Sequence, residues 1–249
     1  MPAAYELTGV VHLVRPTFVH AANLEELRRG IAGADVGTLF HHAIQSQLRS
    51  PGGEDLPPDD FSGWVYGVVQ DRETAEYLSF AVQQRGEAAE PLRAALLEAL
   101  DRVPARLRRT QETPEEGAFV FLGADSVPVP TGQQATDPAS LFDALAEADA
   151  SVWFYELIER PWFDAPPPAV ARWLRELGDP DAARWLEEAA RSGRPLAAMR
   201  RGVLARWRRR SLGARIAAAS QRPPDERREA GRDAVARLTR RLRRGAEPA

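Results

Sequence analysis

The sequence predicts a predominantly helical α+β protein: a tandem duplication with pseudo-twofold symmetry, one short strand per copy and a basic helical C-terminal tail. Three observations carry this. The stretch Leu27 to Ile44 lies over Leu141 to Ile158 without a gap, and six of its 18 positions are identical: Leu27/Leu141, Ala32/Ala146, Ala34/Ala148, Asp35/Asp149, Phe40/Phe154 and Ile44/Ile158. Composition alone yields roughly one or two such identities. After a five-residue slip, Asp55, Pro57, Pro58 and Trp64 fall on Asp164, Pro166, Pro167 and Trp173. Each copy also opens on a short run rich in Val or Phe, and apolar residues recur at helical spacing beyond it. The boundaries are residues 1–110 for the first copy, 117–210 for a degenerate second copy and 211–249 for an Arg-rich, partly disordered tail. The polar, acidic stretch Thr110 to Gly117 links the copies.

In chain order, the runs Gly9 to Val14 and Ala118 to Gly123 are the predicted strands. A lone strand leaves its backbone groups unpaired, so the two are expected to pair with each other. Asn23 in one copy, and Asp137 with Pro138 in the other, open a first helix. Its apolar stripe is Leu24, Leu27 and Ile31, matched by Leu141, Leu145 and Ala148. A second helix holds Leu39, Phe40, Ile44 and Leu48, matched by Trp153, Phe154, Leu157 and Ile158, and stops before proline-rich loops. A third, capped by Asp60, buries Phe61, Trp64, Val65 and Val68, against Val170, Trp173, Leu174 and Leu177. A fourth carries Tyr77 and Leu78, or Trp185 and Leu186. The last runs from Pro91 to Arg109 with Leu92, Leu96, Leu100, Val103 and Leu107 on one face, echoed by Pro195, Leu196, Met199, Val203 and Trp207. Val235, Leu238 and Leu242 mark a further amphipathic segment in the tail.

Composition excludes several chemistries. There is no Cys, hence no disulfide, thiolate nucleophile or cysteine metal site. All 33 basic residues are Arg, so neither a Schiff-base lysine nor a phosphate-loop lysine exists. Apolar stretches fall short of the roughly 20 residues that cross a bilayer, and the N-terminus lacks the pattern of a signal peptide, so a cytoplasmic protein with no transmembrane segment is expected. Residues 191–249 hold 18 Arg against 5 acidic residues, although the whole chain is −3. The body is therefore acidic and is itself a candidate partner for the basic end.

Phe40, His41 and His42 on a helix, then a loop, then Asp59, Asp60 and Phe61 with Trp64 beyond, form a pattern that resembles an uncharacterised bacterial and archaeal family, domain of unknown function 5752. The resemblance covers most of Gly9 to Trp207 and implies no activity. The first copy fits it better. In the second, Glu156 stands at the His42 position and Pro168, Ala169 and Val170 replace Asp59, Asp60 and Phe61, so a polar site is expected in the first copy only.

The candidate acid/base residues are His42, Asp59 and Asp60, with no metal and no cofactor expected. With Phe40 and Ile44 facing the core, the 100° turn per residue puts His41 at the edge of the buried stripe and His42 on the far face. Structural readings compete: His42 bonding the loop carboxylates, and Asp59 and Asp60 capping a helix. His41, His42, Asp60, Trp64 and Trp162 are the candidate ligand contacts. Trp162, with Phe163, lies in a proline loop where an exposed aromatic would suit a sugar or a peptide. His12 and His20 show no recognisable partner. Arg201, Arg208, Arg209 and Arg210 are the candidate anion or nucleic-acid contacts, although no nucleic-acid-binding signature accompanies them.

Together these features predict a non-enzymatic cytoplasmic scaffold or regulatory module that meets a protein partner or itself. A small-molecule binder or enzyme using a His/Asp pocket, on a sugar or phosphorylated ligand, and a nucleic-acid binder using the Arg-rich end, are the rivals.

Overall fold

Two 17-residue strands, β1 (Tyr5–Ala21) and β2 (Phe119–Ala135), pair antiparallel from Tyr5↔Ala135 to Ala21↔Phe119. The pairing agrees with the backbone argument, but the strands far outrun the predicted Gly9 to Val14 and Ala118 to Gly123. Pro16, Pro128 and Pro130 read as turn formers in the sequence. On a two-stranded ribbon each strand has an open edge, where a missing N–H costs nothing. The register slips twice: Thr17 to Val19 oppose Phe121 alone, and Thr131 to Gln133 oppose Leu7 alone. At the centres of these bulges Phe18 and Gly132 have φ of 61° and 75°. Thr17 Oγ1 donates to the Phe121 carbonyl at 2.6 Å and accepts from the Val19 N–H at 3.3 Å; Thr131 Oγ1 does the same with Leu7 and Gln133, at 2.8 and 3.1 Å.

The computed structural model describes residues 2–46, 59–85, 88–110, 112–164 and 166–221. After β1 come α1 (Leu24–Gly33), α2 (Val36–Ala43), α3 (Asp60–Trp64) with a π-helical turn Val65–Val69, α4 (Arg72–Arg85), α5 (Ala89–Asp101) and α6 (Ala105–Arg108). After β2 come α7 (Pro138–Glu147), α8 (Ala150–Phe154) with a π turn Tyr155–Glu159, α9 (Arg160–Asp164), α10 (Ala169–Glu176), α11 (Pro180–Ala190) and α12 (Leu196–Gln221). Leu48, the proline-rich stretch 50–58 and the amphipathic segment around Leu238 lie outside the described residues. Residues Met1–Leu204 form one compact unit and Ala205–Ala249 a second, of which the rest of α12 is described.

The first helix of each half opens as its cap predicts. The Asn23 side chain accepts from the Glu26 N–H, while Asp137 and Ser140 form a reciprocal capping box with Pro138 in the first turn. Three local assignments differ. The π turn adds a residue to its coil, which swings Val68 outward and buries Val69 instead. Pro104 cannot supply a helical N–H, so the predicted Pro91–Arg109 helix breaks there; Leu107 is exposed and Arg108 turns inward. There Arg108 bonds Glu25 at 2.7 Å, Asp101 at 3.1 Å and the Val103 carbonyl at 2.8 Å. The second helix of the second half continues as α9 past Pro161. The preceding π turn carries its Arg160 N–H back to Tyr155, which accommodates a proline that would clash with an ordinary i−4 carbonyl.

The core lies on one face of the ribbon, where Phe40, Phe61, Phe121, Phe142, Trp153 and Phe154 are fully buried. Phe40 and Phe154 meet with ring centroids 5.8 Å apart. The other face is open: Val11 is 53% and Leu13 58% exposed, beside Val127 and Val129. Among the described residues no helix is long and apolar enough to cross a membrane.

Candidate functional site

Asp35 starts α2 by accepting the Thr38 N–H at 2.6 Å, and every residue from Thr38 to Ser46 is buried. From Thr38 onward this helix has no solvent face, so the geometric expectation for its histidines fails. His41 and His42 do not diverge into edge and surface positions; both are buried and their rings touch edge-on with centroids 4.9 Å apart.

His42 is held from two sides. Its Nε2 lies 2.8 Å from the Leu122 N–H and its Nδ1 2.9 Å from Asp60 Oδ2. A backbone N–H can only donate, so Nε2 is the bare nitrogen and Nδ1 carries the proton that Asp60 accepts. Phe61, Phe119 and Phe121 surround the ring, with centroids 5.4, 4.8 and 6.0 Å away. His41 Nδ1 lies 2.6 Å from the Gln45 side-chain oxygen.

The two aspartates divide the roles predicted for both. Asp59, not Asp60, caps α3: it accepts the Ser62 N–H at 2.8 Å and also bonds the Ser62 hydroxyl. Burial raises its pKa from 3.8 to about 6, against the lowering effect of those Ser62 bonds. Asp60, in the first turn, is left for His42. Trp64 is a core residue whose Nε1 donates to the Gly117 carbonyl at 2.7 Å.

His41, His42 and Asp60 each offer a ligand atom within 4.8 Å of the others, a spacing a divalent metal would accept. The hydrogen bonds oppose it. Coordination through His42 Nδ1 would move the proton to Nε2, where it would confront the Leu122 N–H. The same two bonds occupy both nitrogens needed for proton transfer to a substrate.

The sequence predicts a second half stripped of polar groups; instead it holds a buried polar network. Glu156, at the position of His42, has no exposed surface; it accepts the Thr8 N–H at 3.0 Å and the Tyr5 hydroxyl. Burial pushes the Glu156 carboxyl up, opposed by those two bonds and by Arg160, and burial beside Glu156 pushes the Tyr5 hydroxyl far up. His12, predicted to lack a partner, lies 2.7 Å from Glu159 Oε2 through its Nε2, whereas Glu159 Oε1 is buried with no partner among the described residues. No local pattern signals these pairs, because their members are 147 and 151 residues apart. Only the position of Glu156 opposite His42 in the repeat points here.

Trp162 is not an exposed loop aromatic. It is buried within α9, 5.6 Å from the Phe40 ring, while Phe163 is half-exposed against the same ring at 5.2 Å. Arg201, Arg208, Arg209 and Arg210 are exposed on α12, the last with its guanidinium 5.6 Å from the Trp207 ring centre.

A family model described as "Family of unknown function (DUF5752)" matches residues 3–206. Among solved structures, OrfY from Thermoproteus tenax is similar, with a TM-score of 0.68 and 23% identity over 82% of this chain and 93% of that one. At that identity the likeness concerns the fold alone. No curated protein matches.

Proposed function

The chain belongs to this family of unknown function, and because membership brings no activity with it, we propose from its own geometry that it is a non-enzymatic cytoplasmic scaffold or regulatory module that contacts a second copy of itself. The outer face of the ribbon carries this reading. Val11 pairs with Val127, Val129 stands beside them opposite Gly9, and Leu13 pairs with Asp125, so one side of a two-stranded sheet presents four aliphatic side chains to solvent. Arg15 and Asp125 flank this stripe, so two such faces meet without net charge to repel. The inner side supports the same reading, since His42, Asp59 and Glu156 all have backbone hydrogen bonds to satisfy.

We also infer that residues 1–110 and 117–210 descend from one duplicated module with residues 211–249 appended. Corresponding contacts recur 114 positions along the chain, or 109 beyond the five-residue slip, where Trp64 answers to Trp173. The bulge at Thr17 and its bond to Phe121 answer to Thr131 and Leu7. Leu122 donates to His42 as Thr8 donates to Glu156. Trp64 donates to Gly117 as Trp173 donates to Ala3.

Light scattering on the eluting full-length chain tests self-contact. The expected mass is that of a dimer, with Leu13→Arg and Val127→Arg shifting it to monomer at unchanged melting temperature. A wild-type monomer at all concentrations, or variants that remain dimeric, would overturn the assignment of this face.

A further inference from the structure

A cavity of about 630 Å³ lies between the end of β1 and helix α1, and Phe121, whose ring centroid is 6.0 Å from that of His42, lines it. Its volume is in the range of sites that hold small molecules. Phe121 and Val19 give it an apolar wall, and Arg15, His20 and Arg29 are its cationic or donor groups. The backbone that shapes it is special on both sides. The Thr17–Val19 bulge forms one rim and places Phe18, 83% exposed, in a left-handed conformation that a bulky residue rarely adopts. Across it, Gly30 lets the Phe121 ring press onto α1; a Cβ there would sit 2.2 Å from that ring.

The hydrogen-bonding capacity of the lining is spent unevenly. Both acids are engaged: Asp35 accepts from the Thr38 N–H at 2.6 Å and from Arg15 at 2.7 Å, and Glu26 accepts from the Ala22 N–H at 2.9 Å. Thr17 is engaged within the bulge. The cations keep donors in reserve. Arg15 lies against Gly123, where a Cβ would come within 2.9 Å of its guanidinium carbon, and its partners Asp35 and Asp125 use only Nη2 and Nε of a group with five N–H donors. Arg29, 67% exposed along its side chain, reaches Glu26 at only 3.5 Å. Among the described lining side chains, the guanidinium groups of Arg15 and Arg29 keep unbonded N–H donors, whereas each carboxylate already accepts a backbone N–H.

We propose that this cavity binds a small organic ligand bearing an oxyanion, a phosphate or a carboxylate, between Arg15 and Arg29, with its apolar part on Phe121 and Val19. This goes beyond the scaffold reading. At the corresponding positions of the second half, Val129, Asp143 and Gln134 replace Arg15, Arg29 and His20, and Glu147 replaces Gly33, so the donor set belongs to the first half alone.

The test is a titration of the ¹⁵N-labelled full chain with inorganic phosphate and separately with succinate, with ionic strength held by chloride. Saturable amide shifts confined to residues 15–20 and 29–38 are expected with at least one anion; phosphate alone identifies a phosphate ligand, and succinate alone a carboxylate. Gly33 lines the cavity and a Cβ there meets nothing within 4 Å, so Gly33→Leu has an open start into the space and is expected to abolish the shifts. Gly202→Leu, equally unhindered on α12, leaves them intact. Arg29→Ala weakens binding by roughly tenfold, the value of one charge-assisted hydrogen bond. Absence of saturable shifts with both anions, or binding by Gly33→Leu equal to wild type, would overturn the proposal.

Discussion

His42 in the first half and Glu156 in the second stand at matching places and do one job with different chemistry. Each reaches from a helix to the opposite strand and accepts a backbone N–H, that of Leu122 at 2.8 Å or Thr8 at 3.0 Å. The imidazole sits in a cage of phenylalanines and donates its Nδ1–H to a partly exposed aspartate. The carboxylate sits in a network of Tyr5 and Arg160 with no exposed surface. What both halves need is an acceptor at a bulged strand, and two unlike side chains supply it.

The largest effect that would sharpen this comparison is expected from Glu156→Ala. It strands the Thr8 N–H and the Tyr5 hydroxyl and leaves a cavity, for a loss of about 3 kcal/mol in urea unfolding. His42→Ala costs somewhat less, about 2 kcal/mol, because its second partner, Asp60, is partly solvated. His42→Gln, whose amide oxygen can still accept, recovers part of that loss. Equal losses for Ala and Gln would break the acceptor argument.

Asp59 gives a pH-dependent test of the first half. Its folded pKa is raised from 3.8 to about 6, so the native state holds this proton more tightly than the unfolded chain. Its stabilising contribution is complete below pH 3.8 and lost as pH rises through 6. Asp59→Asn removes the titration, so stability relative to wild type rises between those limits by up to about 3 kcal/mol. Denaturant curves at pH 4 and pH 7.5 check this; a variant falling further below wild type at the higher pH would contradict it.

The smallest effects compare neighbouring glycines of α1. Gly30→Ala drives a methyl into Phe121 and destabilises by about 2 kcal/mol, while Gly33→Ala meets open space and stabilises by up to about 1 kcal/mol through helix propensity. Thermal melts that rank the two the other way would contradict the close approach of α1 to Phe121.

Much of the framework was legible because its signals are local. Asn23 and Asp137 cap as their side chains dictate, Leu24, Leu27 and Ile31 face inward at helical spacing, and unpaired backbone groups dictate the pairing of the two strands. Distant partners decided the rest. Nothing near His41 signals that β2 and α3 close over α2 and bury both histidines. Pro16 and Pro128 hid strand length because their tolerance depends on an open edge, which no local window reveals. Trp162 read as a loop residue because the π turn that carries the helix past Pro161 has no pattern in sequence.

The most direct test is the protonation state of His42 itself, read from long-range ¹⁵N–¹H correlations in the full-length chain before and after zinc is added. The Nδ1–H tautomer, with a bare Nε2 bonded to the Leu122 N–H and no change with zinc, is the predicted result. A proton on Nε2, or a zinc-shifted His42 nitrogen, would contradict the structural role and return His41, His42 and Asp60 to metal chemistry.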